Sequence, residues 1–175
     1  MQRFLPDADA TERLAHALAA TQPAPDVAAA TVVFLHGDLG AGKSTLARAW
    51  LRALGVTGAI RSPTYTLVEH YPLSAGSKAL HLDLYRIGDA GELEFLALDD
   101  AEAGLWLVEW PERGSRALPP ATLEVALALE GDGRLVRLQA GNAAGEDWLR
   151  RLAENAELRG LPEPARRKLR QPTDI

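Results

Sequence analysis

Apolar positions along the chain alternate between two periods, and that alternation lays out its elements. Thr31-Val32-Val33-Phe34-Leu35 is a short, β-rich apolar run of the kind that forms a buried parallel strand. Further on, Leu46, Trp50 and Leu54 recur every four residues with Ala47 and Leu51 beside them. Arg48 and Arg52 fall on the opposite face, so this stretch predicts an amphipathic helix, ended by the glycines at 55 and 58. Residues 65–71 are β-rich and predict a strand. Ala79 to Arg86 alternates apolar and polar positions and predicts another, with the Ser/Gly turn from Leu73 to Lys78 joining the two as a hairpin-like unit. Gly104-Leu105-Trp106-Leu107-Val108-Glu109 is a second buried strand, stopped by Pro111. Residues 121–130 and 134–140 flank Gly131-Asp132-Gly133 and predict an antiparallel hairpin at a sheet edge. Helices are expected from Asp9, where Asp9 and Glu12 resemble a capping box, through Ala20, and from Glu146 to Leu158, with Trp148, Leu149 and Leu152 on one face. Residues 2–5 predict a short edge strand, and Thr21 to Asp26 a loop. No internal repeat is present.

Between the first buried strand and its helix lies Gly37-Asp38-Leu39-Gly40-Ala41-Gly42-Lys43-Ser44-Thr45, which reads G-x-x-x-x-G-K-[ST]. Glycines let such a loop wrap a phosphate chain with backbone N–H groups. Lys43 is placed to reach the β- and γ-phosphates, Ser44 to offer a hydroxyl to Mg²⁺, and the helix dipole to favour the same anion. Two carboxylates end apolar strands, Asp83 and Glu109, and in a doubly wound sheet the ligand lies beyond those ends. Either acid suits a metal ion or the water that attacks a phosphoryl group. In Arg61-Ser62-Pro63-Thr64-Tyr65-Thr66, two readings of Thr64 stand side by side. It is a γ-phosphate sensor in a loop that reorders on hydrolysis, or part of a rigid turn into the next strand.

Composition narrows the field. The chain has 175 residues, enough for one domain with a sizeable core, with 47% hydrophobic and 25% charged residues. It has no cysteine, and its four histidines lack metal-ligand spacing, which disfavours disulfides and zinc. There is no apolar signal core or run of about 20 apolar residues, so a soluble cytoplasmic protein without membrane contact is expected. A net charge of −5 argues against a broad nucleic-acid surface. Residues 88–102 hold six acids and no base. They read as a short solvated helix or as a docking surface for a basic partner. From Arg159 the chain becomes rich in proline and arginine. The expected division is a domain over 1–158 and a mobile basic tail over 159–175, solubilising or RNA-touching.

Taken in order, the loop at 37–45, Ser62-Pro-Thr-Tyr-Thr-Leu-Val68, His81-Leu-Asp-Leu-Tyr-Arg86 and Val108-Glu-Trp-Pro111 resemble the TsaE (YjeE) family, bacterial ATPases of tRNA threonylcarbamoyladenosine biosynthesis. The likeness runs from about Thr11 to the helix at 146–158. It implies one α/β domain of the P-loop NTPase-like, three-layer type, with a mixed, mainly parallel sheet. It implies binding of ATP and Mg²⁺, weak ATP hydrolysis by the chain alone, and work beside TsaB and TsaD on adenosine 37 of tRNA, which this chain meets only through the complex. It further implies Mg²⁺ ligation by Ser44 and Glu109, an essential Asp83, a switch over Ser62 to Thr66, and Trp110 packed beside the site. Thr11 and Arg134 match positions near the nucleotide. Ser44 stands where threonine is more usual and supplies the same hydroxyl. The competing reading is a small-molecule kinase, which should carry an arginine-rich lid. Arg113, Arg116, Arg134 and Arg137 are scattered instead. A nucleotide-gated adaptor is a third reading. A GTPase is disfavoured because neither Asn142 nor Asn155 is followed by lysine.

Overall fold

The computed structural model describes residues 1–24, 30–73, 76–88, 93, 103–114 and 117–164. The strands are β1 (Gln2–Leu5), β2 (Thr31–His36), β3 (Val68–Pro72), β4 (Lys78–Asp83), β5 (Ala103–Glu109), β6 (Leu123–Glu130) and β7 (Gly133–Ala140). The helices are α1 (Ala8–Thr21), α2 (Lys43–Ala53), α3 (Ala143–Glu154) and the short α4 (Ala156–Arg159). The strands form one seven-stranded sheet in the order β1-β7-β6-β2-β5-β4-β3. Its middle is parallel, β2 pairing with both β5 and β6, and β5 with β4. Antiparallel pairs flank it on both sides. This is the mixed α/β sheet expected of a P-loop NTPase-like domain.

Alternation along the buried strands sends side chains to two separate cores. Val33, Leu35, Leu105 and Leu107 join the helices, with Trp50 of α2 and Trp148 of α3 meeting edge to face at 5.7 Å. Their indole N–H groups donate to Gln22 and Thr21 at the end of α1, so neither buried ring leaves a polar atom unpaired. Val32, Trp106 and Val108 face the other way, under Leu80, Leu82, Leu84, Ile87 and Leu93.

Local details shift several expected boundaries. The cap of α1 is Asp7, whose carboxylate accepts from Ala10 N at 2.8 Å; Asp9 lies inside the first turn. Two aspartates two apart offered equal cap chemistry, and only the extended backbone at Asp7 makes it the cap. The third strand begins at Val68 and not at residue 65, because Leu67 N bonds back to Pro63 O and closes a turn. The β6–β7 hairpin lies one strand in from the edge, since β1 pairs outside β7. The final helix starts at Ala143, capped by Asn142, and breaks at Asn155, which caps α4. Beyond 158 the chain is still packed. Leu161 is buried and Pro162 O accepts from Phe4 N, so the folded part reaches into the expected tail. Residues 165–175, and all of the acidic segment but Gly88 and Leu93, fall outside the described residues.

Candidate functional site

The loop after β2 turns three times through backbone that disfavours side chains. Gly37, Gly40 and Gly42 have φ of +137°, +80° and +107°. Gly37 is the most constrained, since a Cβ there would stand 2.3 Å from Leu127 O. The loop delivers Lys43 to the first position of α2, where it is 4% exposed. Its ammonium donates to Gly37 O at 2.6 Å and Asp38 O at 3.0 Å, and sits 4.0 Å above the ring of Trp110. Burial pulls its pKa below the ordinary lysine value, while Glu109, Asp83, Glu112 and Asp38 act in the opposite direction. A buried cation near two carboxylates, held by carbonyls and an aromatic face, could take an anion that arrives with its own counter-ion.

Asp83 and Glu109 stand opposite each other at the ends of β4 and β5, on the helix side of the sheet. Glu109 is 2% exposed and its Oε2 accepts from Ser44 Oγ at 2.9 Å. Asp83 is 5% exposed; Oδ2 accepts from Thr64 Oγ1 at 2.9 Å and Oδ1 from Tyr85 N at 3.1 Å. Two hydroxyl–carboxylate pairs thus face one cleft of about 240 Å³, whose lining includes Gly42, Lys43, Ser44, Thr64, Asp83 and Glu109. Trp110 closes one side against Tyr85, ring centroids 4.9 Å apart. Its φ of +57°, rare for a bulky residue, turns the ring back under Lys43.

A second cavity, of about 300 Å³, shares Gly42 and Thr45 with the first and is lined by Thr11, Asp132 and Arg134 among others. Residues 11 and 134, far apart in sequence, therefore meet on the other flank of the loop. Arg134 lies at the start of β7, beside Gly42. Leu39 is exposed at the rim and Ala41 is buried in the core below. Of the segment 62–66, Thr64 alone lines the cleft. Ser62 bonds to Thr64 at 2.9 Å, Pro63 is buried, Thr66 bonds to Glu69, and Tyr65 is 81% exposed under the Arg86 guanidinium.

One residue at this site opens the His81–Arg86 stretch but carries no role in the sequence reading. His81, fully buried, places Nε2 2.8 Å from Glu109 Oε1. The alternation of β4 puts residue 81 on the same face as Asp83, and that much is readable from the chain. Its meeting with Glu109 depends on the β4–β5 register, which is not.

The donor set suits a magnesium–triphosphate. Hard oxygens from one hydroxyl and one carboxylate lie next to a buried ammonium, and such a metal commonly takes one or two protein carboxylates with phosphates and water completing its shell. Among the described residues no three His, Asp or Glu side chains converge on a metal position.

Sheet, glycine loop and strand-end acids together define an α/β domain of the P-loop NTPase-like class. A family model described as "Threonylcarbamoyl adenosine biosynthesis protein TsaE" matches residues 5–136. The chain belongs to the TsaE family. The tRNA threonylcarbamoyladenosine biosynthesis protein TsaE of Haemophilus influenzae is 43% identical over 120 residues, covering 67% of this chain and 75% of its own length. The protein of that name from Synechocystis is 42% identical over 120 residues, 65% and 71% of the two chains. A crystal structure of YdiB from Bacillus subtilis superposes with a TM-score of 0.71 at 25% identity, covering 88% of this chain and 94% of that one. Among the described residues no helix is long and apolar enough to cross a membrane.

Proposed function

We propose that this chain binds ATP with Mg²⁺ in the cytoplasm, hydrolyses it slowly, and uses that cycle to reset a TsaB–TsaD partner complex that places threonylcarbamoyl on adenosine 37 of tRNA. The observation that carries the reading is the Ser44–Glu109 pair at 2.9 Å beside the buried Lys43. Family membership supplies the pathway, through the names of the relatives.

Ser44 and Glu109 would hold the metal, which supplies charge neutralisation for the β- and γ-phosphates when bound. Lys43 stabilises the charge that develops on the transferred phosphoryl group. Asp83, its carboxylate fixed by Thr64 and by the Tyr85 N–H, orients the attacking water. Thr64 couples the 62–66 loop to that water, so release of the γ-phosphate changes what holds the loop. Thr11 and Arg134 would line the nucleoside end of the ligand.

Reconstitution tests this. TsaB and TsaD without ATP hydrolysis should complete one round of tRNA modification and stop. Adding this chain with Mg-ATP should give repeated rounds. Unimpaired repeated rounds without the chain would refute the proposal.

A further inference from the structure

Glu109 offers its two oxygens to two different partners. Oε2 accepts from Ser44, on the side of the cleft. Oε1 faces His81 Nε2 at 2.8 Å, with both side chains out of solvent. An ionised carboxylate only accepts, so Nε2 carries the proton and donates. The other ring nitrogen, Nδ1, is buried and has no hydrogen-bond partner among the described residues, so none of them competes for the orientation of the ring. The parallel register of β4 and β5 sets this contact, pairing His81 with Leu107 and Asp83 with Glu109, so the imidazole lies one step behind the two acids.

The geometry points to His81 as a positioning residue that makes Glu109 a one-oxygen ligand and thereby selects Mg²⁺ over Ca²⁺. Ca²⁺ takes six to eight oxygens and often claims both oxygens of a carboxylate, whereas Mg²⁺ demands near-ideal octahedral geometry and keeps several waters. With Oε1 engaged, a two-oxygen grip on a large cation would strand a buried N–H. A one-oxygen grip on a small cation leaves the hydrogen bond intact. Partners of this kind behind a metal ligand fix its orientation, and their loss typically weakens metal binding by about 10–100-fold. The inference rests on the reading of Ser44 and Glu109 as the metal-holding pair.

The test is calorimetric binding of a non-hydrolysable ATP analogue to the full chain in Mg²⁺, in Ca²⁺ and in EDTA. Three proteins are compared: wild type, His81→Leu and His81→Gln. Wild type should favour Mg²⁺. His81→Leu, which keeps apolar volume and loses the donor, should shrink the Mg²⁺/Ca²⁺ affinity ratio about tenfold or more while leaving the EDTA affinity in place. His81→Gln, which keeps an N–H donor, should restore most of the ratio. An unchanged ratio in folded His81→Leu, or a glutamine variant that behaves like leucine, overturns the inference. Nitrogen-15 imidazole spectra of wild type supply an arm that needs no variant. The hydrogen bond from Nε2 should persist in EDTA and with the Mg²⁺–analogue pair, and its loss on loading also overturns it. If wild type binds the analogue under none of the three conditions, the ATP reading itself falls, which is a different result.

Discussion

Lys43 is held back by its own loop. Two carbonyls and the Trp110 ring already occupy the ammonium, so the proposed triphosphate would compete with contacts that exist before it arrives. Truncating the side chain removes the charge on which the proposed phosphoryl transfer would depend, and Lys43→Ala should lose ATP turnover altogether, measured as released phosphate. Asp83 plays a different part. In Asp83→Asn one acceptor oxygen becomes a donor facing the Thr64 hydroxyl or the Tyr85 N–H. The catalytic rate should fall about 10²-fold or more, with nucleotide affinity little changed. A steady-state comparison of kcat and KM separates these effects. Gly37 is held by space as well as by φ. Gly37→Ala drives a methyl against the Leu127 carbonyl, so urea unfolding should show a loss of at least ~1–3 kcal/mol. At this scale the sequence was most readable. The glycine loop fixes Lys43 and Ser44 by adjacency, and apolar runs that end in acids mark Asp83 and Glu109. His81 stands in a quoted motif, but its role escaped because it is a cross-strand contact, and nothing local to β4 says which strand lies beside it.

Elements here are set by caps and by tryptophans. Asp7 supplies the first-turn acceptor of α1, so Asp7→Ala should cost about 1 kcal/mol in chemical denaturation, while Asp9→Ala should cost much less. Trp148 joins α3 to the end of α1 and to α2 at once, through Thr21 and Trp50. Trp148→Ala should cost roughly 3–5 kcal/mol. Strand and helix types followed from periodicity, because burial on one face leaves a period of 2 or 3.6 in the chain. Ends did not, since two aspartates, or an asparagine inside a helical pattern, leave the choice of cap to long-range packing. The order of strands was less legible still. Edge strand β1 lies against β7, more than a hundred residues away, and that pairing leaves no trace in either segment.

For the molecule as a whole, the nucleotide should act as a stabiliser. A ligand at 100 times its dissociation constant adds ~2.7 kcal/mol to the folded state, so saturating Mg-ATP should raise the melting temperature by about 5 °C or more, and Lys43→Ala should show little of that rise. Alkaline pH should act in the other direction through Tyr71. Burial lifts its hydroxyl above the ordinary 10.0, against a bond from the Arg61 N–H. The unfolded chain therefore gives up this proton first. Between pH 10.0 and the raised value the native state holds more protons, and stability falls as pH climbs through that window. Unfolding free energies taken across it should show the decline in wild type and a flatter course in Tyr71→Phe.

Leu67 and Trp110 are the non-glycine residues with left-handed backbone among the described residues, and each adjoins one of the two strand-end acids. Leu67 closes the turn that leads from Thr64 into β3, and its carbonyl accepts from the Asp83 N–H; Trp110 follows Glu109 directly. Each carries roughly 1–2 kcal/mol of unfavourable backbone energy that glycine would not. Selection for heat resistance alone would press on these two places, and would alter the backbone that aims the acids. A thermostable descendant found in that way should arrive with Asp83 and Glu109 aimed less well at the cleft, so directed improvement of this scaffold has to score stability and the proposed ATP turnover at once.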